Sequence, residues 1–427
     1  LAEEQVKFKP LVELGSTGLN RWGGYISEEW LTELAGTKAA TVYREMSDND
    51  PIIGAVLFAI RMLCRQVDWR VDPADESAEA RDAAQFLESC RGDMSESWQD
   101  VISEALSMLV YGWAFCELVY KRRGGDSTDP TKRSKYDDGR IGWRKIPIRA
   151  QTSLLEWVFN DAGDLTAMTQ SAPPDYKLRT IPIEKALLFR TETTKGNPEG
   201  RSILRNSYRS WYFKKNIEVI EGIGVERDLA GLPVVWVPSN VANPTTAAEV
   251  TVRDAYKTLA TSIRRDEQEG ILMPLVYDAS GNKTYDLTLL STGGTRQFAT
   301  DTVINRYNTQ IAATCLADFI LLGSQKVGSF ALASSKTHLF AVAIGAFLDE
   351  VQDVFNTDAI PRLFKLNSFK VKEYPVLAHG DLEDVDLAEL GAFLAQMALA
   401  GAPLFPDETL EKYIRQVAHM PAKGTED

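Results

Sequence analysis

The spacing of apolar residues changes period several times along the chain, and each change marks an element. Extended stretches with a short helix around Ser27–Ala35 lead to a second predicted helix at Thr37–Met46. Asp50 then reads as an N-cap with Pro51 at the first helical position. The helix that follows, Ile52 to about Gln66, is apolar on most faces and is expected to be buried. Trp69-Arg70-Val71-Asp72 alternates as a strand does. Helices are predicted at Ser77–Cys90 and Ser97–Tyr111, and in the second Trp98, Val101, Ile102, Ala105 and Leu109 fall on one stripe.

From Gly112 to Thr193 the period shortens to that of strands, at Phe115–Tyr120, Ile141–Ile148, Ser153–Phe159 and Ala186–Phe189. Between the first two lies a polar insertion, Lys121–Arg140, with seven basic residues and four aspartates, read as a mobile solvated loop. Helix returns at Arg201 and runs to about Leu229. A strand closed by proline follows at Pro233–Pro238, then a helix at Ala247–Glu269 and two strands in Gly270–Leu290 around the Ala279–Asn282 turn. The helix Thr295–Phe319 places Phe298, Ile304, Tyr307, Ile311 and Cys315 on one face. After the small polar loop Gly323–Ser329, the helix Ser334–Phe355 aligns Phe340, Ile344, Phe347, Val351 and Val354. The tail after Asp381 reads as helical, punctuated at Gly401–Pro406. The fold class is α+β, dominated by helix, and 427 residues suffice for about two to three domains.

Composition narrows the function. Apolar residues at 44% and charged residues at 25% describe a globular chain, not a disordered one. The net charge of −13 excludes a general nucleic-acid coat, since affinity for phosphates comes from Lys and Arg. The four cysteines, Cys64, Cys90, Cys116 and Cys315, are too far apart for a CxxC or zinc-ribbon pattern and read as reduced, buried thiols. Three scattered histidines make a His-based metal site unpromising. The chain opens on Leu1 without a basic-then-apolar leader and reads as part of a longer chain. Its most apolar run, Ile52–Cys64, contains Arg61 and falls short of the about 20 residues that span a bilayer, so a soluble protein is expected.

Enzyme motifs fail one by one. GxxxxGK[ST], HExxH and GxSxG are absent. Gly222-Ile-Gly224 sits mid-helix and reads as small residues for close helix packing. Asp381, Glu383, Asp384, Asp386 and Glu389 would suit metal-dependent phosphoryl transfer, but acids where a helix begins are explained by its macrodipole. His338 lies on the polar side of its helix with no nucleophile beside it. No cofactor is called for, and nothing reads as an enzyme. The cations carry more information. Arg201, Arg205, Arg209, Lys214 and Lys215 occur with no acid before Glu218, and the first three recur every four residues, as on one helix face. A solvated or intersubunit salt-bridging face is one reading; a surface toward nucleic acid is the other. Lys326 is the only charge between Asp318 and Lys336, on a loop able to touch phosphates without sequence preference.

The order of these features resembles the portal proteins of tailed bacteriophages, the head-to-tail connectors. Asp50-Pro51-Ile-Ile, Arg61 and Val67-Asp-Trp69-Arg-Val71 resemble the entry to the portal core. Pro198-Glu-Gly-Arg-Ser-Ile-Leu-Arg205, through Tyr208, Trp211 and Lys214 to Glu226-Arg227 and Leu232-Pro233-Val-Val, is similar to a stem helix leaving a Gly-Arg turn. The helix–polar loop–helix of Thr295–Phe355 resembles the wing helix interrupted by its tunnel loop. The resemblance spans roughly Asp50 to Leu366 and is closest to the portals of Mu-like phages.

That resemblance implies a wing at 1–200, a stem helix at 201–230, a clip at 231–292 and a return stem or wing helix at 293–320. It further implies a tunnel loop at 321–335, the rest of the wing at 336–380 and a crown at 381–427. Ser324, Gln325 and Lys326 would lie nearest DNA in the channel, and the Arg201–Lys215 cations would face the channel or a neighbouring subunit. A dodecameric ring is implied, at one capsid vertex of the virion, passing double-stranded DNA in packaging and ejection. Its expected partners are further copies of the chain, the major capsid protein, the terminase and head-completion or adaptor proteins, with no membrane and with assembly in the host cytoplasm. Two rivals stand beside this reading. One is another ring-forming structural protein; the other is a metal-dependent nuclease built on the Asp381–Glu389 acids.

Overall fold

The computed structural model describes residues 15–230, 232–262, 273–278, 280–290, 300–317, 330–369, 371–380 and 396. The chain divides into two compact units, Leu1–Tyr208 with Ile311–Asp427, and Arg209–Gln310.

The larger unit begins with a hairpin of β1 (Arg21–Trp22) and β2 (Tyr25–Ile26), followed by a single 3-10 turn at Thr32–Leu34. That turn replaces the helix predicted at Ser27–Ala35, because the extended residue before it, Leu31, offers no capping side chain. Helices α1 (Gly36–Asn49) and α2 (Pro51–Gln66) meet at Asp50, whose buried carboxylate accepts from the backbone N–H groups of Ile52 and Ile53 at 2.9 and 3.1 Å. The predicted cap is therefore present. The expected burial of α2 is found on one side only. Ile53, Val56, Leu57, Ile60 and Cys64 enter the core, whereas Ala55, Phe58 and Met62 lie on an open face.

Next come β3 (Trp69–Asp72), α3 (Ala78–Gly92), α4 (Trp98–Ala105) and α5 (Met108–Tyr111). The hydroxyls of Ser77 and Ser97 cap α3 and α4, accepting from Ala80 and Asp100 N–H groups at 3.1 Å each. The stripe predicted through Trp98 and Leu109 is buried throughout, although a turn at Leu106–Ser107 divides its helix in two. Gly112, at φ +89°, ends α5 in the left-handed conformation a glycine adopts without strain.

Strands β4 (Trp113–Glu117), β5 (Val119–Arg122), β6 (Ile141–Lys145), β7 (Ile148–Arg149), β8 (Leu154–Phe159), β9 (Leu165–Ser171), β10 (Leu178–Pro182) and β11 (Ala186–Arg190) complete this stretch. They pair as β11-β4-β7, β10-β9-β8 and β5-β6. The sequence does not predict β9 and β10. In β9 four consecutive residues, Ala167–Gln170, are buried, so no alternation shows; β10 is mostly exposed and ends in proline.

In the smaller unit, α6 (Tyr208–Ala230) is followed by β12 (Leu232–Trp236), α7 (Ser239–Ala242), α8 (Ala247–Ser262), β13 (Asp286–Leu290) and α9 (Thr300–Thr314). Strands β12 and β13 pair antiparallel, Val234 opposite Thr288. Asp278 closes the turn before β13 by accepting from the Ser280 and Asn282 N–H groups at 2.9 and 2.8 Å. Phe213 of α6 stacks on Tyr307 of α9, and Thr300 bonds to the Glu221 carboxylate. A Cβ on Gly222 would meet nothing within 4 Å, so the close packing predicted at that glycine is not found.

The chain returns to the larger unit through α10 (Phe330–Val354), a π-helical turn at Phe355–Ala359, α11 (Ile360–Leu366) and β14 (Val376–His379), which pairs with β3. The predicted stripe of α10 buries Phe340, Ile344 and Val351. Phe298, the Gly323–Ser329 loop and, apart from residue 396, the tail after Asp381 lie outside the described residues. Among those described, no helix is long and apolar enough to cross a membrane.

Two apolar cores share one wall. Alternation in β4 sends Ala114 and Cys116 into the larger core, with Trp98, Trp143 and Phe355, and sends Trp113 and Phe115 into a second core around Trp157 and Met168. The neighbouring β11 repeats the arrangement, with Leu187 and Phe189 on one side and Ala186 on the other.

Candidate functional site

Three of the predicted residues, Ser324, Gln325 and Lys326, lie outside the described residues, as do the acids from Asp381 to Glu389. The five cations from Arg201 to Lys215 are described, and they do not share one helix face. Helix α6 starts at Tyr208, so Arg201 and Arg205 precede it. Gly200, at φ +55°, packs so closely on the Gly112 carbonyl that a Cβ would overlap it. Beyond it the Ser202 hydroxyl donates to Val110 O at 2.5 Å, and the Ile203 N–H donates to Leu109 O at 3.0 Å. These bonds hold the segment against the end of α5 in a turn and delay the helix.

The five side chains have different partners. Arg205 is half-buried and grips Glu29 with two bonds of 2.6 and 2.7 Å. That bond raises the guanidinium's pKa; burial pushes the Glu29 carboxyl up, but Arg205 and the Leu31 N–H outweigh it and hold Glu29 below its ordinary value. Arg201 is exposed and donates to Asn206 Oδ1 at 2.9 Å. Lys214 is only 2% exposed and lies 3.9 Å from Glu218. Arg209 and Lys215 are exposed, and each cation stands over an aromatic ring, Phe213 and Trp211, at 5.8 and 5.2 Å.

The Lys121–Arg140 insertion differs from its predicted solvated state. Lys121 is buried and pairs with buried Asp93 at 3.0 Å, and its ammonium also donates to the Asp93 and Arg133 carbonyls at 2.6 and 3.0 Å. Asp93 further accepts from the Ser134 hydroxyl at 2.6 Å and the Lys135 N–H at 2.8 Å. Burial pushes its carboxyl up, yet these donors outweigh burial and hold it below the usual carboxylate range. Arg123, 2% exposed, pairs with Asp138 at 3.0 Å, donates to Ser89 Oγ at 2.8 Å and lies 4.0 Å from the Tyr136 ring centre. Nothing in the spacing of the insertion announced Asp93, which comes from α3's C-terminus.

Sequence reasoning also passed over the segment from β1 to the 3-10 turn. It is tied down by the Glu29–Arg205 grip, a Glu28–Lys195 pair at 3.0 Å and a Trp157 N–H bond to Gly24 O at 2.9 Å. Trp22, Tyr25 and Trp30 in this segment are 78%, 58% and 90% exposed. Beside it opens a cleft of about 360 Å³, walled by Glu28, Glu29, Trp30, Tyr43, Glu192 and Glu199, with Arg201 and Arg205 at its side. Burial raises the pKa of Glu199, whose carboxylate accepts from the Trp157 indole at 3.2 Å. Three aromatics within nine residues, between short polar runs, are the signal that marks this segment in the sequence.

Chemistry at single side chains is limited. Among the described residues no group of three His, Cys, Asp or Glu side chains is placed to hold a metal ion. His379 bridges Asp349 and its neighbour's carbonyl at 3.1 and 2.8 Å, and His338 is exposed. All four cysteines are free. Burial pushes the Cys64 thiol to about 12 and those of Cys90 and Cys315 to about 11, which leaves little thiolate at neutral pH.

The family model for the portal protein of Mu bacteriophage matches residues 40–416. Comparison with curated proteins found no match. Among solved structures, the chain is similar to one in the virion of a native gene transfer agent particle, with a TM-score of 0.50 and 10% identity over 90% of this chain and 93% of that one. It is likewise similar to one in the neck of the native particle computed with C12 symmetry, with a TM-score of 0.50 and 11% identity over 90% and 94%. An HK97 family phage portal protein from Corynebacterium diphtheriae aligns at a TM-score of 0.41 and 11% identity over 80% and 94%. At such identities the first two likenesses are likenesses of fold.

Proposed function

This chain belongs to the portal protein family of Mu bacteriophage, and from that premise we propose that twelve copies close into a ring at one vertex of a phage capsid, as the conduit for double-stranded DNA. The match across residues 40–416 carries the reading, because it spans most of both units. In the packaging state the ring docks the terminase, a separate ATPase that supplies the work. Later it docks the head-completion and tail proteins, and throughout it contacts the major capsid protein. Subunits are made in the host cytoplasm and end in the virion. The family's role is structural, and passage of DNA needs no bond made or broken by this chain.

The charge supports sliding over gripping. Each phosphate neutralised by a cation adds salt-sensitive attachment, so a conduit works best with few of them. A net charge of −13, with Lys326 alone in its loop, suits that requirement. Gln325 and Ser324 beside Lys326 would add polar contacts indifferent to sequence. Of the other cations, Arg201, Arg209 and Lys215 are exposed and would face a channel or a neighbouring subunit, whereas Arg205 and Lys214 are at least half-buried beside Glu29 and Glu218.

Negative-stain microscopy with native mass tests the reading. The expected result is a ring near twelvefold with a hole the width of a duplex; a closed ring too narrow for DNA would sink it. Lys326→Glu is expected to leave that ring intact while altering DNA packaging or retention in infection. Loss of assembly would instead contradict the tunnel-loop role.

A further inference from the structure

A ring of more than two copies needs two different surfaces on each chain, one complementary to the other, because a head-to-tail contact repeats around the axis. The larger unit carries a pair that fits. We propose that the open face of α2 on one copy seats in the aromatic cleft beside the β1–β2 segment of the next copy. This rests on the ring reading above and identifies where neighbouring copies meet.

The first surface is convex. Ala55, Phe58, Met62 and Arg65 follow one another at helical spacing on α2's exposed side, with Arg61 next to them. Phe58 is 62% exposed and Met62 38%. Along its sixteen residues α2 carries two arginines and no acid. An apolar stripe left in water on a helix that otherwise builds the core is a cost unless something covers it.

The second surface is concave and of opposite character. Four glutamates and two arginines line the cleft with Trp30 and Tyr43; Arg205 engages Glu29 and Lys195 engages Glu28, which leaves exposed Glu192 best placed to meet an incoming cation. Trp22 and Tyr25 stand exposed on the hairpin that leads into Trp30. Aromatic walls accept Phe58 and Met62 by packing and by sulfur–aromatic contact. Glu192 and the ring faces suit the guanidinium groups of Arg61 and Arg65. Helix α1 touches both α2 and the turn at Thr32–Leu34, so one short helix joins the donor surface to the acceptor surface. Tryptophan, tyrosine and arginine are also the side chains on which contact energy concentrates.

The test mixes two variants. Phe58→Glu with Met62→Glu spoils the convex surface, and Trp22→Ala with Trp30→Ala spoils the rim. All four positions are exposed, so each variant should keep the thermal melting of the parent subunit. Each alone is expected to lose ring assembly, with the contact weakened about 30-fold or more. Mixed together, they are expected to form a heterodimer and nothing larger, since one intact α2 then meets one intact cleft. Rings from either variant alone, or no heterodimer on mixing, would overturn the proposal. A second measurement reads the contact without ring closure. Oxidation of a mixture of Trp30→Cys and Phe58→Cys chains should give a cross-linked dimer that neither gives alone, and its absence overturns the pairing even where the unmodified protein forms rings. A parent protein that forms no ring, but whose two cysteine variants cross-link, would count against the ring reading and for this contact.

Discussion

Two stretches of this chain are rich in cations, and they behave oppositely. Lys121–Arg140 looks in sequence like the more solvated of the two, yet the buried Lys121–Asp93 pair and the Arg123 bond to Ser89 tie its root to the larger core. Arg201–Lys215, acid-free to Glu218, looks like one charged helix face. It is instead a turn followed by a helix start, with two cations engaged by Glu29 and Glu218 and three exposed. The difference lies mainly in two distant carboxylates. Asp93 reaches Lys121 and Glu29 reaches Arg205 only through the fold, which local spacing does not announce, whereas Lys214 meets Glu218 four residues on along the helix.

Substitutions that remove the distant acid test this contrast most strongly. Asp93→Ala leaves the buried Lys121 ammonium without its counter-charge, and a loss of about 3–5 kcal/mol is expected in denaturant unfolding of the subunit. The same pair sets a pH dependence. Because Asp93 titrates below its ordinary value in the folded chain, its contribution is complete above the unfolded carboxylate pKa, near 4. It is lost as the pH falls through the lowered folded value. Acid titration of Asp93→Asn should therefore show a shallower decline in stability there than the parent; equal slopes would remove Asp93 from this role.

Arg205→Ala comes next. It breaks a two-bond grip on a half-buried carboxylate, for an expected loss of about 1.5–3 kcal/mol. Faster proteolysis between Gly15 and Ala35 should accompany it, since Glu29 is then held less firmly. The smallest effect is expected of Arg201→Ala, Arg209→Ala and Lys215→Ala together. With these exposed cations, each change should stay within about 0.5 kcal/mol in thermal melting. If they face DNA, the salt slope of duplex binding by the assembled protein should fall by about 0.9 for each phosphate left without its cation. An unchanged slope would assign them to solvent or to subunit contacts.

What was legible in the sequence is what depends on neighbours along the chain. Asp50 before Pro51 marks its cap because the bond spans two or three residues. The Trp98–Leu109 and Phe340–Val354 stripes read correctly because helical period alone defines them. Where distant contacts decide, reading failed. Strand β9 is the central strand between β8 and β10, and Ala167–Gln170 are all buried, which erases alternation. The start of α6 is delayed by bonds to Leu109 and Val110, about ninety residues earlier. The apolar run of α2 was identified, but not that one side of it stays open. That openness follows from the packing of the whole unit, and the aromatics of the β1–β2 hairpin are visible as a surface only in three dimensions. Portal membership was legible from the order of loose motifs, and the family match bears it out.

The pinned insertion has a further consequence in terms of chain exchange. Identical copies held side by side face one another at an effective concentration of about millimolar, where long excursions can trade places between chains. The residues between β5 and β6 form such an excursion, but Lys121 at its root and Ser134 and Lys135 near its far end all close on one carboxylate. Exchange would require all of these bonds to open together and buried Asp93 to stay unpaired in the interval. Each copy thus keeps its own segment, and a subunit's shape is determined before its neighbours arrive.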